Sequence, residues 1–427
     1  MHEHTYTAAE ESINNGWNFL FSGVANCNRL IESFDGFVGE GKVTAEQAAA
    51  FKAELRGLRA LFYLWLIDGY GNVPIVTGFF NADASPATAS RTEVFNFIES
   101  ELSAILPSLS DEKNVATYAR VNYWTAKAIQ AKLFLNAEVY TGTARWQDAA
   151  DACLEIINST KFTLEPNYFT NFAANNGPAT TEAIFAIPYD RVFAQGFNLS
   201  QMTLHYGSQA TFQLQEQPWN GYCSLAEFYN SYDADDLRRD GPPGRGYGNF
   251  VSGPQFTAAG DPVIDSDAEG ADPDGPQVNF TPVLNEHFPN CLRQAGARVG
   301  KFQYVQGGTS NLDNDFPVFR YADVLLMRAE ALWHLNMNEQ EQLNLVNQVR
   351  FRAGVADYTT ITPENLLAER GREMFYEGWR RQDLIRFGVY NDGWEFNSPD
   401  PSDHVNIFPI PNNQISANPN LDQNSGY

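Results

Sequence analysis

The sequence predicts an all-α fold: tetratricopeptide-like helical hairpins carrying a large, irregular, loop-rich insert with short β segments. Three observations lead there. Residues 15–160 place apolar side chains at three- and four-residue steps, broken by short polar, Gly- or Pro-containing loops. The same pattern returns over 320–427, followed by a proline-locked extended tail. Between them, over 161–319, helical periodicity fades and glycine, proline, asparagine and aromatics dominate. The expected organisation is one domain, with the binding face carried on 161–319, because long irregular segments inside folded proteins are usually functional.

Each element has its own warrant. Trp17, Leu20, Phe21 and Val24 mark a first helix reaching Leu30 and Ile31. Phe51, Leu55, Leu58, Phe62 and Trp65 form the stripe of a second, with Thr44 and Gln47 placed as a capping box and Gly69, Gly71 and Pro74 as its stop. Ser90 and Glu93 repeat the box before a third helix of Val94, Phe97, Ile98, Leu102 and Ile105, ended by Pro107. An alanine-rich fourth helix is expected over 121–140 and a fifth over 146–159. In the insert, 183–187 (AIFAI) reads as a strand and the glycine run at 241–248 as a loop. Further helices are expected over 321–335, 339–352 and, from an N1 proline at Pro363, to about 387.

Composition removes several classes. A 43% hydrophobic content in 427 residues supports a sizeable core. The net charge of −24 opposes any grip on a nucleic-acid backbone. No apolar run approaches the ~18 residues of a membrane helix. The start, Met1-His2-Glu3-His4, has neither basic nor apolar signal regions, so no signal peptide is expected in this chain. Cys27, Cys153, Cys223 and Cys291 form no C-x-x-C pair and read as scattered buried thiols. Six histidines show no metal spacing, and no P-loop, dinucleotide fingerprint, G-x-S-x-G or H-E-x-x-H occurs.

Five segments in order carry a resemblance. They are AELRGLRALFY (53–63) with GYGNVP (69–74); AKA (126–128) with AKLFL (131–135); FRYADVLLMRAEA (319–331); Glu369, Arg370 and Glu373 followed by EG (377–378) and RQDLIR (381–386); and FPIP (408–411) with the closing QNSGY (423–427). Together they resemble the SusD/RagB family of outer-membrane nutrient-binding lipoproteins of Bacteroidetes-type bacteria, along nearly the whole chain. The resemblance implies a surface role: non-catalytic binding of an oligo- or polysaccharide and its delivery to a SusC-like TonB-dependent outer-membrane transporter. It also implies an outward-facing, lipid-anchored precursor. The family's lipobox cysteine has no counterpart here, since Cys27 falls within a helical stripe. Peptide cargo or a pure scaffold role are the alternatives within this architecture.

Sugar binding needs flat apolar rings for pyranose C–H faces and planar polar groups for hydroxyls. The densest such stretch is 213–222, with Gln217, Trp219, Asn220 and Tyr222, preceded by Phe197, Asn198, His205 and Tyr206. Tyr70 with Phe79, Phe80 and Asn81, and Tyr247 on the glycine loop, are further glycan candidates. No cofactor is expected. The acidic loop holding Asp265, Asp267 and Asp272 is a weak calcium candidate, since alternate acids supply oxygens but Pro276 stands where an EF-hand needs glutamate. Arg370, Glu373, Glu377, Arg380, Arg381, Asp383 and Arg386 crowd one predicted helix as an ion-pair network. Glu373 and Glu377 imitate a glycosidase pair, but arginines around them would hold both ionised and remove the general acid.

Overall fold

The computed structural model describes residues 2–265, 276–286 and 290–427. Its helices are α1 (Glu11–Gly39), α2 (Ala45–Gly69), α3 (Arg91–Ile105), α4 (Tyr123–Leu135), α5 (Ala137–Thr141), α6 (Trp146–Asn158), α7 (Leu199–Thr203), α8 (Ser208–Phe212), α9 (Ala226–Tyr229), α10 (Leu237–Asp240), α11 (Tyr321–His334), α12 (Glu339–Ala353), α13 (Pro363–Glu373), α14 (Arg380–Arg386) and α15 (Asn412–Ala417). Six short strands accompany them: β1 (Ala183–Ile187), β2 (Phe250–Val251), β3 (Gly253–Pro254), β4 (Asn279–Phe280), β5 (Arg298–Val299) and β6 (Phe316–Arg320). Among the described residues no helix is long and apolar enough to cross a membrane.

The fold divides into two compact units. One comprises Met1–Lys161, Val324–Gln342 and Arg381–Tyr427; the other, Phe162–Asp323 and Leu343–Arg380. The first is the helical unit. Both sequence-read capping boxes form: Thr44 Oγ1 accepts from the Gln47 amide and Ser90 Oγ from the Glu93 amide, with each glutamine or glutamate side chain returning the bond. They satisfy amides that a helix start leaves unpaired. α1 packs on α2, α2 on α3 and α4 on α6. Alanines buried at these contacts, such as Ala60, Ala126, Ala128, Ala149 and Ala150, let the backbones approach. The C-terminal tail completes the unit: the Phe408 amide donates to the Gly69 carbonyl (2.7 Å) and Asn424 Nδ2 to the Tyr70 carbonyl (2.7 Å).

The second unit is loop-rich, around an aromatic core of Tyr168, Phe172, Phe212, Phe280, Phe302 and Tyr304 with aliphatic neighbours. β1 pairs antiparallel with β6, β2 with β5 and β3 with β4. The expected strand at 183–187 is β1.

Four expectations need correction. The first helix begins at Glu11, before Trp17, because Ile13 is also buried. The fourth ends at Leu135, where Asn136 turns its side chain onto the Lys132 carbonyl (2.8 Å) and interrupts the ladder. The helix expected to run to 387 breaks after Glu373: Tyr376 (φ 59°) and Gly378 (φ 86°) are left-handed, and Trp379 Nε1 donates to the Val318 carbonyl (3.1 Å). Of the thiols, only Cys27 and Cys153 are buried; Cys223 is exposed and Cys291 half-buried.

Candidate ligand-binding site

In the loop-rich unit, residues 219–222 form a turn strapped to α7 and the segment after it. The Trp219 amide donates to the Gln201 carbonyl (2.7 Å), Asn220 to Leu204 (3.0 Å), and Gly221 and Tyr222 both to Met202 (2.9 and 2.7 Å). A Cβ on Gly221 would sit 2.7 Å from the Met202 carbonyl oxygen, so only glycine permits the approach. Thr203 Oγ1 adds a bond to the Tyr222 carbonyl (3.0 Å) and accepts from the Val299 amide (2.9 Å). With all four of its amides hydrogen-bonded, the turn leaves its rings exposed. Trp219 is 58% and Tyr222 47% exposed, and Tyr206 and Gln217 are exposed as well.

Arg298 fixes this turn from beneath. Its Nε and Nη2 donate to Asn220 Oδ1 (3.2 and 2.7 Å), Nη2 to the Arg293 carbonyl (2.6 Å), and Nη1 to the Ala295 and Gly296 carbonyls (both 2.6 Å). The guanidinium lies 4.8 Å from the Phe280 ring centroid. Burial pulls Arg298 down to about 10, because its partners are dipoles rather than carboxylates. Asn220, left-handed at φ 57°, gives its other amide end to the Arg293 carbonyl (2.9 Å). Its side chain is therefore spent on the scaffold.

The turn thus exposes Trp219 and Tyr222, and Tyr206 and Gln217 are exposed on the flanking segments, but other candidates fall elsewhere. Tyr70 is 3% exposed; its hydroxyl donates to the Ile13 carbonyl (2.5 Å) and its ring packs on Trp17 and Phe408. Phe197 packs edge-on against Phe302 and Phe316 in the core. The Tyr247 hydroxyl accepts from the Tyr304 amide (2.9 Å) while its ring covers Arg245. These three are structural, because burial served their apolar surface better than exposure. Asn198 is half-buried, its carbonyl accepting from the Gln201 and Met202 amides of α7. Phe79, Phe80 and Asn81 are exposed on the helical unit, where Glu32 accepts from the Phe79 and Phe80 amides (2.9 Å each).

The calcium candidate loses its first residue. Asp265 is buried, accepts from Arg293 Nη2 (2.6 Å) and lies 3.4 Å from His205. Burial draws His205 down to about 4. Asp267 and Asp272 lie outside the described residues. Among the described residues no group of three or more His, Cys, Asp or Glu side chains could hold a metal.

Comparison with known proteins bears on this geometry. The SusD-family model matches residues 296–427. The starch-binding protein SusD of Bacteroides thetaiotaomicron is 28% identical, over 91% of this chain and 74% of its own. A SusD superfamily protein from Parabacteroides distasonis superposes with a TM-score of 0.76 at 22% identity, over 99% of this chain and 87% of that one. Surface glycan-binding protein A from Bacteroides thetaiotaomicron, solved with laminarihexaose, gives 0.74 at 24% identity, over 96% and 85%. Residues 296–427 thus carry the SusD-family match, and the chain as a whole is similar in sequence to the starch-binding protein SusD. The structural likenesses, at these identities, speak to the fold.

The family-matched segment supplies most of a buried charge network of the loop-rich unit, which Glu182, Asp236 and Arg238 complete. Arg320 bonds Glu182 (2.7 Å), Glu373 (2.5 Å) and Glu377 (2.7 Å); Arg238 bonds Asp236 (2.7 Å), Glu369 (2.6 Å) and Glu373 (2.9 Å); Lys301 bonds Glu377 (2.5 Å). Arg352 adds contacts to Glu182 (2.7 Å) and Glu373. The sequence-read network is thereby split: Arg381, Asp383 and Arg386 belong to the helical unit, where Arg386 pairs with Glu330 and Asp383. Arg352, Arg320 and Arg238 hold Glu373 far below the usual carboxylate range against the pull of burial. A carboxylate so held cannot protonate a leaving group. Glu373 and Glu377 are structural, and the SusD-family relatives named above are called binding proteins.

Sequence reasoning missed Arg298 and Tyr376. Tyr376 lies half-buried near Tyr222: burial first, then the Tyr222 hydroxyl, push its phenol up to about 12. It was concealed because the helix predicted through 387 gave no hint of a left-handed break.

Proposed function

We propose that this protein captures an oligo- or polysaccharide at the outward face of the outer membrane without catalysis. It then delivers the ligand to a SusC-like TonB-dependent transporter, anchored by lipid in its precursor. The observation that carries the reading is the Trp219–Tyr222 turn. Its two exposed rings sit on a turn whose four amides are already hydrogen-bonded, so little backbone ordering remains to be done on binding. Tyr206 and Gln217 supply a further ring and a planar amide. The names of the relatives, starch-binding and glycan-binding, favour glucans as the first ligands to try.

The test is calorimetry of the full chain against soluble starch and laminarin, with Trp219→Ala beside it. Binding that Trp219→Ala loses while keeping its melting temperature supports the site. Binding retained in Trp219→Ala moves the platform elsewhere. Failure to bind these or other neutral polysaccharides overturns the glycan reading in favour of peptide cargo. For the transporter partner, co-purification with a SusC-like protein from membranes of a host expressing both is the expected result.

A further inference from the structure

Two thiols stand at the Trp219–Tyr222 turn and its support, and the binding reading uses neither. Cys223 directly follows Tyr222 and is exposed, while Cys291 is half-buried. They are far apart in sequence, yet the fold joins the segments that carry them. On one side of Cys223, Asn220 Nδ2 donates to the Arg293 carbonyl (2.9 Å). On the other, the Ser224 amide donates to the Ala297 carbonyl (2.8 Å).

Gly296 lies between these two ties. It is left-handed (φ 83°), and a Cβ on it would sit 2.6 Å from both the Cβ and the Sγ of Cys223. The Cys223 side chain therefore packs on bare backbone at 296, with no side chain of that residue in the way. The Ala295 amide donates to the Leu292 carbonyl (3.1 Å), a turn that reverses the chain just after Cys291 and leads it back past Cys223. Arg298 belongs to the same neighbourhood. Burial lowers its affinity for its proton, and the sulfurs of Cys223 and Cys291, when ionised, oppose the fall. Such effects need short separations, so both sulfurs lie near one guanidinium. That guanidinium is itself clamped by the Arg293, Ala295 and Gly296 carbonyls (2.6 Å each). Cys27 and Cys153 are buried in the helical unit and take no part.

We propose that Cys223 and Cys291 form a disulfide site, which ties the Trp219–Tyr222 turn covalently to the segment around Gly296 when the protein meets a small-molecule disulfide. The exposed Cys223 reacts first. Its thiolate attacks one sulfur of the external disulfide, a mixed disulfide forms and one small thiolate leaves. The Cys291 thiolate then attacks the Cys223 sulfur, the protein disulfide forms and the second small thiolate leaves. Two protein thiols are oxidised, one external disulfide is reduced to two thiols, and the two protein protons end on those thiols. A disulfide needs backbones already held close, and the ties at Asn220 and Ser224 supply that. The cell-surface location proposed above is a setting in which such links persist, while the chemistry does not depend on what the turn binds.

The experiment incubates the folded full chain with glutathione disulfide, alkylates the remaining thiols and maps the peptides by mass without reduction. The expected product is one cross-linked peptide pair carrying Cys223 and Cys291, with Cys27 and Cys153 still unoxidised. Its formation should raise the melting temperature, since the link constrains a long loop of the unfolded chain, and dithiothreitol should reverse both changes. Cys291→Ser should stop at the mixed disulfide on Cys223, and Cys223→Ser should give no link and no change in melting temperature. A glutathione adduct that persists on Cys223 of the parent protein, with Cys291 still open to alkylation, places the sulfurs out of reach and overturns the proposal. So does a link to Cys27 or Cys153, or a failure of Cys223 to react at all. None of these outcomes bears on the calorimetry with starch and laminarin, so the glycan reading stands or falls separately.

Discussion

Arg298 and Arg320 lie in the same loop-rich unit, equally buried, and solve the same problem in opposite ways. Arg298 ends all its bonds on neutral oxygens, those of Asn220, Arg293, Ala295 and Gly296, and burial lowers its affinity for its proton. Arg320 ends on Glu182, Glu373 and Glu377, which hold it well above the ordinary value. The first arrangement shapes a surface turn. The second joins β1, β6 and the break after α13 into one body. A buried cation satisfied by dipoles specifies the path of a loop; one satisfied by charges commits the elements that carry those charges.

The comparison can be broken most directly at Arg320. Arg320→Met should leave three buried carboxylates short of their cation and cost ~3–5 kcal/mol, read from urea unfolding. A loss under ~1 kcal/mol would mean the network is loosely coupled. Acid probes the same place. Glu369 titrates at about 2 in the fold, against ~4.3 for an unpaired glutamate. Its contribution is complete above pH ~4.3 and is lost as pH falls from there toward 2. The urea midpoint should therefore drop across that window, and drop less steeply in Arg238→Met, which already lacks a partner of Glu369.

Arg298→Met comes next. It strands the carbonyls and amide that the guanidinium served, at ~1–3 kcal/mol. It should also weaken glycan binding, although Arg298 faces no ligand. If affinity stays intact, the turn is held by its α7 straps alone. Trp219→Ala inverts the balance: stability within ~0.5 kcal/mol of the parent, but glycan affinity lower by ~10- to 100-fold, the worth of one ring's burial. Phe80→Ala on the helical unit should be the smallest, changing unfolding by less than ~0.5 kcal/mol and leaving glucan affinity unaltered.

The helical half was largely legible because its signals are local. Capping boxes at Thr44 and Ser90, the stop at Gly69 and the stripe of α2 lie within a few residues of what they determine. The breaks at Asn136 and Met374–Trp379 were not, since tertiary partners impose them: Glu377 is drawn to Arg320 and Lys301, and Trp379 reaches Val318. At the site, an outward-facing Trp219 followed from its loop setting. Nothing local distinguished it from Tyr70 or Tyr247, whose hydroxyls find backbone partners far along the chain or across the core. Arg298 was invisible for the same reason: its partners are three main-chain oxygens and the Asn220 side chain far away in sequence, which no local pattern records.

The closure of the helical unit carries an implication for how the chain is made. The Tyr6 hydroxyl donates to the Val405 carbonyl, the Asn412 amide to Ala8 and the Thr88 amide to Asn420. Residues 6–88 are thus completed by residues 405–420, across contacts of high sequence separation, which form slowly. While it is still being synthesised, the helical unit lacks its closing segment. Until residues 405–420 are made, the unit stays open and available to holding chaperones.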